Sequence, residues 1–375
     1  MSMSEVPTAL GGQYIGKYTN ITSGKYSFLC VNIDAVGVAK YEAYATIFSG
    51  DKIYTATFQF DWPGNMSVPV RISGIHEFVR QDDGNFKKTV LNTHSYMSAD
   101  LYVEWQYGLR LTWTTDGETM QSDGLAVTSY RPSELAAEKL LTWLDFKKEV
   151  EKVGPLRRYI FRGQPVGSRL RTSFHRMDKA NLTRYYRHIP ELQHFLSSVY
   201  KEYSLLMQPS DVLAILTLAQ HHGYPTPILD WTASPYIAAY FAFLNAHRES
   251  ANGSIRIYLF DLEEYQKDIP QALEINDMNL HVSFVATPPI NNPRAIPQQS
   301  ISCVSTIDDI ETYLDYIGKN KNKRYLTAYD IPAAEATTAL NDMELMGITH
   351  ASLFPGLDGI CTYLRHKHFV SGCNE

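Results

Sequence analysis

Three short stretches of this sequence carry side chains able to do chemistry. The first is "YIFRGQ", residues 159–164, where Arg162 interrupts an apolar, strand-like run and is followed by Gly163 and Gln164. A guanidinium is a rigid fork of donors matched to a phosphate or a carboxylate. A glycine beside it removes a side chain and lets a ligand come close to the main chain. The structural alternative is a salt bridge from Arg162 to a buried partner such as Asp230, and one arginine can do both jobs.

The second stretch is "LAQHHGYPTPILDWTASPYIAAYFAF", residues 218–243. His221 and His222 close a helical run, and Asp230, Thr232 and Ser234 precede a helix opening near Pro235. Thr232 or Ser234 suits the N-cap, and proline suits the first turn. Taken singly, Asp230, Thr232 and Ser234 read as turn and cap residues. Together they set hydroxyls and unpaired N–H groups at a helix start, which favours an anion by roughly 0.3–1 kcal/mol. A histidine at a helix end is commonly a cap, but two beside a polar loop also suit a base or a ligand clamp. No third ligand stands at metal spacing, so no metal is expected.

The third is "NNPRAIPQQSISCV", residues 291–304. Arg294, Gln298 and Gln299 lie in a proline-framed run expected to be extended. Glutamine amides beside an arginine suit the reading of amide or ribose groups. A solvated edge strand is the plain alternative. "SLFPGLDG", residues 352–359, reads as a turn into the last helix, with Asp358 as a cap candidate.

The elements that must position these residues fall into two halves. From Gly12 to about Val127, runs such as "KYSFLCVNI", "KIYTATFQF" and "LRLTWTTDG" alternate at period two and are broken by turn residues. That pattern predicts an antiparallel β-sandwich or small barrel over 1–130, with no catalytic constellation in it. The boundary falls near Ser129 to Ser133, where helical spacing takes over at Leu135, Leu140, Leu141, Leu144 and Phe146, with Ser133 suited to cap the helix. Residues 131–375 then read as a mixed α/β domain, with helices near 190–207, 210–222 and 233–248 and strands at "GSIRIYLFDL" and "NKRYLTAYDIP". The chain is thus α+β and multidomain, in keeping with its 375 residues.

Composition narrows the function classes. The chain is 44% apolar and 20% charged, which is that of a folded protein. A formal charge of −6 argues against a phosphate-tracking nucleic-acid surface. Cys30, Cys303, Cys361 and Cys373 show no paired spacing, so free thiols are expected. No secretory pattern and no long apolar run is present, and a cytoplasmic location without membrane contact is expected. The phosphate-loop, dinucleotide-fold, HExxH and GxSxG patterns are all absent.

As a set, "YIFRGQ", the 218–243 stretch, "NPRAIPQQ" and "LFPGLDGI" resemble the FRG domain family, named for its Phe-Arg-Gly tripeptide, here Phe161, Arg162 and Gly163. The resemblance covers about residues 140–368. The chain departs from the family at Pro227, where an arginine is common, and at Ser300, where a glycine is common. The order of motifs is also similar, more weakly, to that of ADP-ribosyltransferases. That similarity implies NAD as substrate, with Arg162 on the pyrophosphate and Thr232 and Ser234 on the nicotinamide side. It also implies His221 or Asp230 as base or electrostatic partner, and Gly163, Gln164, His222, Arg294, Gln298 and Gln299 as cofactor-binding residues. Where a glutamate is usual in those enzymes, this chain reads Gln298-Gln299. The expected function is therefore ADP-ribosyl transfer or NAD cleavage, coupled to a β-rich domain that recognises a protein target or trigger, in phage defence or as a toxin. The alternative is a non-catalytic nucleotide-binding or protein-interaction module with a structural arginine.

Overall fold

Period-two alternation in the first third of the chain produces strands. The structure, a computed structural model, describes residues 10–49, 52–62, 67–80, 86–90, 101–105, 108–115, 117–125, 127, 131–201, 209–249, 253–272, 279–285 and 290–369. The chain divides into two compact units, one of Met1–Tyr130 with Phe174–Ile189, the other of Arg131–Ser173 with Pro190–Glu375.

In the first unit the described strands are β1 (Gly12–Asn20), β2 (Tyr26–Gly37), β3 (Lys40–Ser49), β4 (Lys52–Asp61), β5 (Val68–Arg80), β6 (Phe86–Val90), β7 (Leu101–Trp105), β8 (Leu109–Thr115) and β9 (Glu118–Ser122). They form one sheet in the order β4-β3-β2-β1-β9-β8-β7-β5-β6, with a further ladder between β4 and β5. Neighbouring strands run antiparallel, as β1 and β2 do from Gly12↔Ile33 to Thr19↔Tyr26. Where a sandwich or small barrel was expected, these ladders establish an antiparallel sheet. Its core is built from Tyr14, Leu29, Val31, Tyr41, Phe58 and Phe60.

The second unit is organised on a mixed sheet of β10 (Lys139–Leu140), β11 (Tyr159–Pro165), β12 (Ile228–Thr232), β13 (Ser254–Asp261), β14 (Val282–Val285), β15 (Ser300–Ser305) and β16 (Leu326–Pro332). The order is β10-β16-β13-β11-β12-β15-β14, with β10 parallel to β16 and the other ladders antiparallel. Helices named below are α1 (Trp143–Val153), α2 (Leu182–Tyr185), α3 (Ile189–Val199), α4 (Pro209–His221), α5 (Pro235–Glu249), α6 (Leu262–Asp268), α7 (Ile310–Lys321), α8 (Ala336–Leu345), α9 (His350–Leu353) and α10 (Leu357–Phe369). Alternate residues of the central strands feed two cores. Phe161, Ile257 and Leu259 join α1, α5 and α8. Ile160, Tyr258 and Phe260 join Tyr265 of α6 and Leu314 of α7. A strand covered on both faces reads as a continuous apolar run, which is the pattern of "SIRIYLFD".

Two expectations change here. No helix starts at Ser133: α1 begins at Trp143, with the Thr142 hydroxyl accepting from Asp145 N–H at 3.2 Å. The preceding segment is drawn onto the edge of β16 by Glu138 N–H to Ala328 O and Leu141 N–H to Asp330 O, at 2.8 and 2.9 Å. Strand pairing there overrides local helical spacing, and Ser133 Oγ instead donates to Glu311 at 2.6 Å. Second, Phe174–Ile189, which includes α2, groups with the first unit although it lies within residues 131–375. Buried Asp34 holds it by accepting from the N–H groups of Ala180 and Asn181 at 2.8 and 3.2 Å. Cys30, Cys303 and Cys361 are free, and Cys373 lies outside the described residues.

Candidate functional site

The site begins as a split in the second sheet. β11 pairs with β13 along its whole length, from Tyr159↔Asp261 to Pro165↔Ile255. With β12 it shares the single register pair Phe161↔Thr232. Where the two strands part, β12 is left with main-chain groups that a ladder would otherwise satisfy. The Asp230 carbonyl is one of these, and it accepts from Arg162 Nη1. The guanidinium thus takes the place of a ladder donor across the gap.

A cleft of about 320 Å³ opens there. Arg162 and Gly163 of β11, His221 at the end of α4, and Asp230 and Thr232 of β12 line it. So do Arg294 and Gln298 from the turns before β15. Arg294 Nη1 donates to the His221 carbonyl at 3.1 Å, and its guanidinium lies 5.2 Å from the centre of the Phe354 ring. A stacked arginine of this kind is held by the ring quadrupole and keeps its charge. Two guanidiniums therefore face one carboxylate, Asp230.

Each polar partner is fixed in turn. Gln220 Nε2 donates to Asp230 Oδ2, and Gln220 Oε1 accepts from Thr226 Oγ1. Asp230 Oδ1 is shielded from water and has no hydrogen-bond partner. An unsatisfied buried acceptor costs roughly 1–3 kcal/mol, so this oxygen calls for a donor. The Thr232 hydroxyl is already committed, donating to the Gln298 carbonyl at 2.7 Å and accepting from Ser234 N–H at 3.1 Å. Burial, the largest effect, holds the His221 pKa below its ordinary 6.5. The Asp230 charge opposes that shift, while the Arg294 charge reinforces it.

Four residues singled out in the sequence stand elsewhere. Gln164 is buried, donating to the Ser168 carbonyl at 2.5 Å and to Tyr258 Oη at 3.3 Å. His222, just past α4, and Gln299, just before β15, are exposed. Ser234 caps α5 by accepting from Ile237 N–H at 3.3 Å. Gly163 lines the cleft for a different reason than ligand access. A Cβ there would stand 1.9 Å from the Ala238 carbonyl, so the glycine admits the backbone of α5 against β11. Residues 291–304 are not extended before β15 but coiled into turns, with Gln298 N–H on Arg294 O at 3.0 Å and Gln299 at φ 47°. Asp358 is an exposed residue of the first turn of α10.

Sequence reasoning passed over Gln220, Phe241, Ser300 and Phe354, which also line the cleft. Gln220 stands directly before the two histidines in "AQHHG", but a neutral amide gives no charge signal. Phe354 belongs to the "LFPG" turn, where its ring packs edge-on to Phe241 at 5.9 Å.

Comparison with known protein families matches one segment of the chain. Residues 157–251 match the family model of the FRG domain. The FRG segment spans β11, α4, β12 and α5, and so carries Arg162, His221, Asp230 and Thr232. It is shorter than the 140–368 of the sequence resemblance, and Arg294, Gln298, Ser300 and Phe354 lie beyond it. No curated protein and no solved structure matches the chain.

Proposed function

We propose that the cleft binds NAD or a related nucleotide, and that the FRG unit acts on it as an ADP-ribosyltransferase-like enzyme, by ADP-ribosyl transfer or NAD cleavage. The observation that carries this reading is the convergence of Arg162 and Arg294 on one cleft beside Asp230, whose buried Oδ1 lacks a donor. Paired guanidiniums suit a pyrophosphate. At about 320 Å³ the cleft is at the small end of ligand pockets, roughly 300–1,000 Å³, so it holds one end of a dinucleotide. NAD would supply the bond from ribose to nicotinamide, whose cleavage is the chemistry.

The chain's own residues have separable tasks. Arg162 and Arg294 hold the anion, and Phe241 and Phe354 wall off water. His221 offers a neutral ring able to take a proton. Asp230 is the carboxylate beside the reacting end, in the role a glutamate fills in the enzymes this motif order resembles. Preorganised electrostatic groups of that kind are worth some 3–4 kcal/mol of barrier. The β-rich unit, an antiparallel sheet, serves as the module that recognises a target or trigger, an arrangement suited to phage defence or a toxin.

A second reading, a non-catalytic module with a structural arginine, draws on the bond from Arg162 to the Asp230 carbonyl and on the committed Thr232 hydroxyl. Nicotinamide release from NAD by the purified protein, beside a folded Arg162→Ala variant, separates the two. Turnover abolished by the substitution is the expected result. Absence of both turnover and calorimetric NAD binding in the wild type overturns the enzyme reading, and a much lower melting temperature for Arg162→Ala then makes the arginine structural.

A further inference from the structure

Most polar side chains of the cleft are already answered within the fold. Thr232 both donates and accepts, Gln220 uses both ends of its amide, and Gln298 Nε2 donates to the Leu353 carbonyl at 3.0 Å. Among its carboxylate oxygens and hydroxyls, two groups stand apart. Asp230 Oδ1 is buried without a partner. Ser300 lines the cleft, and its hydroxyl makes no hydrogen bond among the described residues.

Their positions are set by one ladder. β12 pairs with β15 through Asp230↔Ser302 and Thr232↔Ser300. Side chains at directly opposed positions, and at i and i+2, share a face, so Asp230, Thr232 and Ser300 project together. Asp230 and Ser300 are diagonal neighbours, about 7–8 Å apart at Cα in such a ladder. That places them within reach of neighbouring groups on one small ligand.

We infer that Asp230 Oδ1 and Ser300 Oγ form a hydroxyl-binding subsite, and that the cleft therefore takes phosphate esters of polyols, sugar phosphates above all, in preference to simple phosphate esters. The subsite rests on the reading of the cleft as a nucleotide site and sharpens it. The donor that Asp230 accepts is a neutral hydroxyl and not an ammonium, because Arg162 and Arg294 line the same space and repel a cation. Ser300 completes the pair, since a hydroxyl can donate to one ligand oxygen and accept from another. Gln220 is the positioning residue: by holding Oδ2 it fixes the rotamer that leaves Oδ1 for the ligand.

The test is calorimetric titration of the full chain with ribose 5-phosphate, methyl phosphate and NAD, in the wild type, Ser300→Ala and Asp230→Asn. Ribose 5-phosphate is expected to bind the wild type roughly tenfold tighter than methyl phosphate. Ser300→Ala weakens ribose 5-phosphate about 3- to 10-fold with methyl phosphate little changed, and Asp230→Asn lowers the preference for ribose 5-phosphate over methyl phosphate about tenfold or more. Should Asp230→Asn melt early, Ser300→Ala decides alone, because its hydroxyl holds nothing in the fold. Equal binding of the two esters, or equal weakening of both in the variants, overturns the subsite even where NAD is bound or cleaved. Discrimination between the esters without any NAD binding upholds the subsite and overturns the NAD reading. If none of the three ligands binds, both fall.

Discussion

Arg256 and Arg162 stand on adjacent strands of one sheet, β13 and β11, yet their guanidiniums are answered differently. Arg256 grips Asp330 with two bonds of 2.7 and 2.9 Å and adds the Leu135 carbonyl at 2.6 Å. Arg171 does likewise with Asp308 at 2.6 and 3.1 Å, and Arg169 donates once to Asp309 at 2.6 Å. Arg162 and Arg294, by contrast, donate to the main-chain carbonyls of Asp230 and His221. A bidentate carboxylate cancels an arginine's charge as well as orienting it. A carbonyl orients a guanidinium through its dipole and brings no full charge of its own. The partner's chemistry thus differs between the arginines of the carboxylate pairs and the two arginines that line the cleft.

The largest effect that breaks this contrast lies on the structural side. Arg256→Ala leaves Asp330 without its partner and is expected to cost ~3–5 kcal/mol, the range for breaking a buried pair. Arg162→Ala removes a bond to a carbonyl and should cost about 1–3 kcal/mol. Denaturant unfolding of both variants checks the order, and a larger loss at Arg162 would erase the distinction. Gly163→Ala comes next. Its methyl meets the Ala238 carbonyl at 1.9 Å, so α5 must shift, at a cost of roughly 1–3 kcal/mol. A melting temperature equal to that of the wild type would show that α5 does not press on β11. The smallest effect concerns pH. His221 has a folded pKa below its ordinary 6.5, so the unfolded chain binds its proton more tightly. Its contribution to stability is full above pH 6.5 and is lost as pH falls through the depressed folded value. The wild type should therefore lose stability between pH 7.5 and 5 more steeply than His221→Gln, and parallel melting curves would place the ring in water.

How much of this was legible beforehand differs from residue to residue. "SIRIYLFD" announces a strand covered on both faces, and "YIAAYFAF" behind Ser234-Pro235 announces a buried, capped helix, because each pattern is local and each element lies where it is written. Arg162 announces itself because a charge inside "YIF" must be answered. Its use of a carbonyl across a parted strand pair was not legible, since strand separation is a property of the sheet. Ser133 misled because helical spacing at Leu135 to Leu144 is a local preference, and pairing with β16 is a longer-range one that prevails.

The sequence by itself determined the strand character of the first unit, where α5 starts, and which charged residues need partners, since all of these follow from side-chain spacing and local sterics. Only the tertiary structure decided that β11 and β12 part after Phe161↔Thr232, that Arg294 and Phe354 close the same cleft as Arg162, and that Gly163 serves α5. It also decided that Asp230 keeps one oxygen unanswered. These facts depend on residues far apart in the chain meeting at one point, and no local spacing encodes such a meeting.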